Sequence, residues 1–191
     1  MVIWRYNSDG TLDTSFGGDG IVTHNGAAGG ANSDRGYSVV LDGDGKILVT
    51  GHGYNDTTSD WDMVIWRYNS NGSLDASFGT GGIVTHHSAA GGDNEDFGRS
   101  VAIDSNGKIL VAGGSNNGSD YDMTIWRYNS DGTLDTSFNT DGFVTHDNAG
   151  GANRSEKGFS IVFDSNGKIL VAGESRDSSG LQPVMVIWRY N

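Results

Sequence analysis

Apolar residues along this chain fall into short runs bounded by Gly, Asn, Asp and Ser, and the runs return in the same order three times. No run repeats at helical spacing over three turns, so the pattern predicts strands throughout. Two runs, Ser38–Asp42 and Lys46–Gly51, are joined by Gly-Asp-Gly, and their counterparts in later copies by Ser-Asn-Gly. Asp or Asn before Gly between apolar runs marks a hairpin, because glycine accepts the positive φ of the turn. A third strand carries tryptophan and a fourth is the short Ile-Val-Thr or Phe-Val-Thr segment. The runs are nearly continuous rather than alternating, as in strands covered on both faces. The fold class is all-β.

Repetition organises the whole chain. Met-Val-Ile-Trp-Arg-Tyr-Asn stands at 1–7, 63–69 and 185–191, and at 123–129 with Thr124 in the second position. The period is close to 60 residues, giving repeats of approximately 1–62, 63–122 and 123–184, with 185–191 repeating the first strand, in a single domain over 1–191. Regular four-stranded units with periodic Gly and aromatics predict a β-propeller. Read outward from the first strand, the blades are Ser38–Thr85, Ser100–Thr145 and Ser160–Asn191. The last lacks its fourth strand, and the matching segment, Ile21–His24, lies near the N-terminus. The pattern therefore expects the two ends to close a ring. Three blades are fewer than the usual four to eight, and one tryptophan strand is redundant. Two chains joined head to tail would make six blades, and an open filament or a longer array are the other arrangements. A three-fold β-prism or β-trefoil is the alternative architecture. The assembly strands are carried by Val2, Ile3 and Trp4 at one end and Ile187, Trp188 and Tyr190 at the other.

Composition narrows the function. The 31 glycines are roughly double the usual share, but a single proline and no three-residue glycine period exclude collagen. Twelve basic residues against 24 acidic ones leave a formal charge of -12, which disfavours nucleic acid and anionic membranes as partners. Without cysteine there is no disulfide framework, thiolate metal site or cysteine nucleophile. No apolar run reaches the roughly 18 residues of a membrane span. No signal-peptide pattern heads the chain, but Met63, Met123 and Met185 share the slot of Met1, so Met1 need not be an initiator.

Candidate chemistry is sparse. Asn7–Asp13, Asn69–Asp75 and Asn129–Asp135 place oxygen ligands around a glycine turn, like the first half of a calcium loop. The candidate ligands are Asp9, Asp13, Asn71, Asp75, Asp131 and Asp135; no bidentate glutamate follows, and no cofactor is otherwise required. The simpler reading is a polar turn with Gly10, Gly72 and Gly132 left-handed, and Asp13, Asp75 and Asp135 capping a short turn that ends in Phe16, Phe78 and Phe138. Arg5, Arg67, Arg127 and Arg189 lie within strands and need carboxylates, with Asp13, Asp75, Asp135, Asp62 and Asp122 as candidates. Lys46, Lys108 and Lys168 read as solvated turn residues. His24, His86 and His146 recur once per unit, where a zinc meeting point competes with plain strand ends. No nucleophile elbow, HExxH or phosphate loop occurs, so no catalytic residue is assigned. Loops Gly53–Asp60, Ser115–Asp120 and Glu174–Pro183 vary most, and Trp61 and Tyr121 beside them either stack on a sugar ring or extend the tryptophan strand. Asn55, Asn71, Asn117 and Asn153 begin glycosylation triplets.

The phrases Asp-Gly-Lys-Ile-Leu-Val-Thr-Gly and Asn-Gly-Lys-Ile-Leu-Val-Ala-Gly, with Leu-Asp-Thr-Ser-Phe after a glycine-rich turn, resemble the delta-60 repeat of large bacterial surface and secreted proteins. The resemblance spans essentially the whole chain. It implies propeller-like sheets in an extracellular setting and brings no catalytic residues. Taken together, the expected function is a non-enzymatic extracellular or cell-surface scaffold whose terminal strands complete blades within or between copies. The alternative is a carbohydrate-binding module that uses the variable loops and aromatics.

Overall fold

The computed structural model describes residues 1–30, 33–92, 94–151, 154–177 and 182–190. Among them are thirteen strands: β1 (Val2–Trp4), β2 (Ile21–Thr23), β3 (Arg35–Leu41), β4 (Ile47–Asn55), β5 (Asp60–Tyr68), β6 (Ile83–His86), β7 (Asp96–Ile103), β8 (Ile109–Asn116), β9 (Tyr121–Tyr128), β10 (Phe143–His146), β11 (Lys157–Phe163), β12 (Ile169–Arg176) and β13 (Pro183–Tyr190). They form four antiparallel sheets in the orders β1-β2, β3-β4-β5-β6, β7-β8-β9-β10 and β11-β12-β13. By position in the unit, the first sheet has only third and fourth strands. The last has only a first, second and third.

This corrects the expected closure within one chain. β2 pairs with β1, through Val2↔Thr23, Ile3↔Val22 and Trp4↔Ile21, and not with β13. The reason is local. Residues 5–20 fold on themselves through bonds from the Asn7 N–H to the Thr11 carbonyl and the Gly20 N–H to the Phe16 carbonyl, returning the chain beside its own first strand.

The sheets stack face to face, and three apolar clusters fill the three spaces between them. Side-chain alternation along each strand sends successive residues to opposite faces. Val64, Trp66 and Tyr68 of β5 face the β1-β2 sheet with Phe16, while Met63 and Ile65 face the next sheet with Val101, Val111 and Trp126. The pattern recurs one unit on: Met123 and Ile125 meet Ile161, Val171 and Trp188. Both faces are apolar, which is why the runs read as continuous. Each buried tryptophan also meets a histidine from the preceding sheet, His24 with Trp66, His86 with Trp126 and His146 with Trp188, at ring distances of 6.2, 5.9 and 6.0 Å. These histidines lie in separate layers and do not converge as zinc ligands would.

The first strands β3, β7 and β11 lie side by side. Ser38 Oγ accepts from the Val101 N–H and Ser100 Oγ from the Ile161 N–H, at 3.3 and 3.2 Å. Each of these strands carries a β-bulge, at Gly36/Ser38, Gly98/Ser100 and Gly158/Ser160. The bulge presses its carbonyl against the glycine that ends each Ile-Leu-Val-Thr/Ala-Gly run. A Cβ on Gly113 would lie 1.8 Å from the Phe97 carbonyl oxygen, and one on Gly51 1.7 Å from that of Arg35. No side chain fits there. Gly113→Ala is therefore expected to cost about 2–3 kcal/mol as backbone and neighbours give way, read as a lower midpoint in denaturant unfolding.

Candidate functional site

The repeated polar turns are closed by their own hydrogen bonds. Asp9 Oδ1 accepts from the Thr11 N–H and hydroxyl at 2.9 and 2.7 Å. Asn71 Oδ1 does the same with Ser73, and Asp131 Oδ1 with Thr133. Asp13, Asp75 and Asp135 accept from Ser15, Ser77 and Ser137, and from Arg5, Arg67 and Arg127 Nε at 2.8, 2.8 and 2.9 Å. Lys46 and Lys108 join at 2.6 and 3.0 Å, so these two are ion-paired rather than solvated, as the sequence had suggested. Hydroxyl, ammonium and guanidinium neighbours hold the Asp75 and Asp135 carboxyls well below the usual range. Each guanidinium also lies over a ring, of Phe16, Phe78 or Phe138, at 4.5–4.7 Å. Arg5 and Arg67 reach on to the carbonyls of Ser70 and Ser130 in the following units. Gly10, Gly72 and Gly132 have φ of 85°, 91° and 89°, as a turn of this kind requires. The six candidate ligands thus serve in three separate turns.

The chain ends present the faces that the interior buries. Trp4 is 56% exposed, whereas Trp66 and Trp126 are wholly buried. Met185 and Ile187 are 75% and 60% exposed, whereas Met63, Ile65, Met123 and Ile125 are wholly buried. Val2, Trp4, Tyr37 and Val39 line an open apolar groove of about 240 Å³ between β1 and β3, where an interior unit has its own inner strands. Ile3 packs on the first cluster and Trp188 and Tyr190 on the last, so each terminal strand is buried on one side only.

A different surface brings Trp61 and Tyr121 together. Both stand at the start of a third strand, so the strand-extension reading holds, and both line one cleft of about 270 Å³. Its floor comes from the bulges. Arg99, the extra residue of β7, lies between two rings, 4.3 Å from the Tyr37 centroid and 4.7 Å from that of Phe97. Lys157 lies 4.3 Å from the Tyr121 ring, and Arg35 5.8 Å from that of Trp61. His52 packs on Trp61 at 4.5 Å and is only 8% exposed, with neither ring nitrogen hydrogen-bonded among the described residues. Burial, then Arg35 and Arg99, push its pKa down to about 4, so the ring is neutral at pH 7. The Tyr121 hydroxyl donates to Glu95, and burial with that carboxylate pushes the phenol up to about 12. Sequence reasoning found the two aromatics and missed the cations. The signal was present: the inner strands read Arg-Gly-Tyr, Phe-Gly-Arg and Lys-Gly-Phe where the units otherwise agree.

Carboxyls crowd the spaces between sheets near this end. Asp62 Oδ1 lies 2.9 Å from His87 Nδ1, and oxygens of Asp122, Asp147 and Glu156 lie within 4.8 Å of one another. Burial pushes Asp96 up to about 7 and Asp122 to about 6.

Comparison with known proteins is consistent with the stacked sheets. Residues 1–16, 43–78 and 105–138 match the model of a family described as a domain of unknown function (DUF5122) beta-propeller. The match supports a propeller-like repeat family. No curated protein matches the chain. Among solved structures, a fucose lectin from Kordia zhangzhouensis, in complex with methyl-fucoside, is similar at 14% identity and a TM-score of 0.46, over 79% of this chain and 90% of that one. No helix among the described residues is long and apolar enough to cross a membrane.

The buried carboxyls give stability a pH dependence of known sign. Asp96 keeps its proton in the folded state where the unfolded chain has lost it, so the destabilisation it contributes is absent below about pH 4 and grows as the pH rises to about 7, opposite in sign to that of Asp75 and Asp135. Asp96→Asn keeps a neutral polar group and removes that penalty, by up to ~4 kcal/mol. Thermal unfolding is expected to show the variant above the parent protein at pH 8 and level with it at pH 4.

Proposed function

We propose that this chain is a non-enzymatic propeller-type scaffold, acting outside the cell or at its surface, that assembles with copies of itself by completing blades. A delta-60-type repeat in an extracellular bacterial protein fits that role. The observation that carries the reading is the pair of unfinished ends. β13 lacks an outer neighbour among the described strands, and the β1-β2 sheet has no inner strands. The strand beside β2 and the strand at the open edge have the same sequence, Met-Val-Ile-Trp-Arg-Tyr. In the interior, Met63, Val64, Ile65 and Trp66 pair with His86, Thr85, Val84 and Ile83. The same register places β2 of a second copy on β13, with Ile187 opposite Val22 and Trp188 opposite Ile21, by a strand exchange in which β13 takes the place that β1 holds beside β2 within the chain. Three blades then come from each chain, in a six-bladed ring of two copies or in an open filament.

Burying Val39, Leu41, Met185 and Ile187 contributes about 1.5–3 kcal/mol each, together about 6–12 kcal/mol at most. That is comparable with the roughly 4–15 kcal/mol lost in association, so pairing the open edge tips the balance. No metal or other cofactor enters this reading, since the turn carboxylates are engaged by serine, lysine and arginine. A second reading, glycan recognition, has one observation in its favour: Trp61 and Tyr121 share a cleft.

Sedimentation velocity from ~1 to ~100 μM is expected to show dimers or longer species, and Ile187→Lys is expected to return them to a single chain. A particle of 20.2 kDa at every concentration would overturn the assembly. Such a monomer retained on a glycan array would favour the second reading instead.

A further inference from the structure

The cleft beneath Trp61 and Tyr121 is a cationic place in an acidic protein. Arg35, Arg99 and Lys157 converge on it, against Glu95 on its wall, in a chain whose formal charge is -12. Lys157 has Glu174 opposite it and Glu95 nearby, but Arg35 and Arg99 have no carboxylate within ion-pair distance among the described residues, whereas Arg5, Arg67 and Arg127 each have one. Here aromatic rings hold the cations. Arg99 lies between Tyr37 and Phe97, and Lys157 lies over Tyr121. A guanidinium stacked by its faces keeps its in-plane N–H groups free for a bidentate acceptor.

We infer that this cleft binds a carboxylate-bearing sugar ring, such as a hexuronic acid, with Arg99 on the carboxylate and Trp61 against the ring. The inference rests on the glycan-recognition reading and narrows it to acidic sugars. Two features select the ligand. The bulge at Gly98/Ser100 re-aims Arg99, a use of bulges common at binding sites. The volume of about 270 Å³ lies just under the usual range for drug-sized ligands and suits one ring. The cations select charge. The aromatic wall selects a ring.

Isothermal titration of the full chain with D-glucuronate, the methyl ester of D-glucuronate, D-glucose and inorganic phosphate tests this. Saturable binding of glucuronate near ~1 mM is expected, with at least about 10-fold weaker binding of the ester and of glucose. Arg99→Gln should cost glucuronate at least about 10-fold while leaving the far-ultraviolet circular dichroism unchanged. Should that variant misfold, Lys157→Gln reads the same dependence from the opposite wall. Equal binding of glucose and glucuronate would overturn the acidic selectivity and leave the glycan reading standing. No saturable sugar binding would overturn both. Phosphate binding as tightly as glucuronate would overturn the role of the ring.

Discussion

A sheet with apolar side chains on both faces must be covered twice. Every second and third strand of this protein is built that way, with Met63 and Ile65 on one side of β5 and Val64 and Trp66 on the other. Stacking satisfies the demand for each interior sheet by handing half of it to a neighbour. It cannot satisfy the first and last sheets of a linear stack. The same constraint therefore makes the core and exposes Trp4, Met185 and Ile187. The third strand keeps its apolar residues in all four copies, with Trp4 and Ile187 matching Trp66 and Ile125.

The polar interactions reinforce the stack without driving it. Arg67 ties its own blade together through Asp75 and reaches the next through the Ser130 carbonyl, and Lys46 brings the inner hairpin into the same network. Ser38 and Ser100 fasten neighbouring inner strands. These are repeated fittings at fixed places in each unit. The cleft is different because its residues differ from unit to unit: Arg35, Phe97 and Lys157 occupy equivalent places, as do Tyr37, Arg99 and Phe159. Equivalent positions with unlike side chains are the places where similar repeat units make one asymmetric surface.

Much of the fold was legible because the relevant physics is periodic. Two-faced apolar runs, Asp-Gly and Asn-Gly turns and a 60-residue repeat lead directly to stacked antiparallel sheets. The pairing of Arg5, Arg67 and Arg127 with Asp13, Asp75 and Asp135 followed from one rule about buried charge, whereas Arg189 takes Asp164, outside the expected set. Less visible were features that depend on how strands meet. The bulge between Gly36 and Ser38 is a property of pairing, so neither the role of Gly51 nor the aim of Arg99 could be read from spacing. Ring closure failed as an expectation because pattern matching counts strands without weighing chain connectivity. β2 follows β1 after a short folded turn and takes the local partner. Lys46 and Lys108 likewise looked free because their aspartates lie 29 and 27 residues further along the chain.

The absence of cysteine permits a direct test of the shared blade. Two single-cysteine chains, Val22→Cys and Ile187→Cys, would be mixed under mild oxidation and the linked products identified by mass. If β2 of one copy lies on β13 of another, the mixed pair should link far faster than either chain with itself, and denaturant should abolish the preference. Linkage at the same slow rate for all three pairings would mean that the two ends never meet in this register.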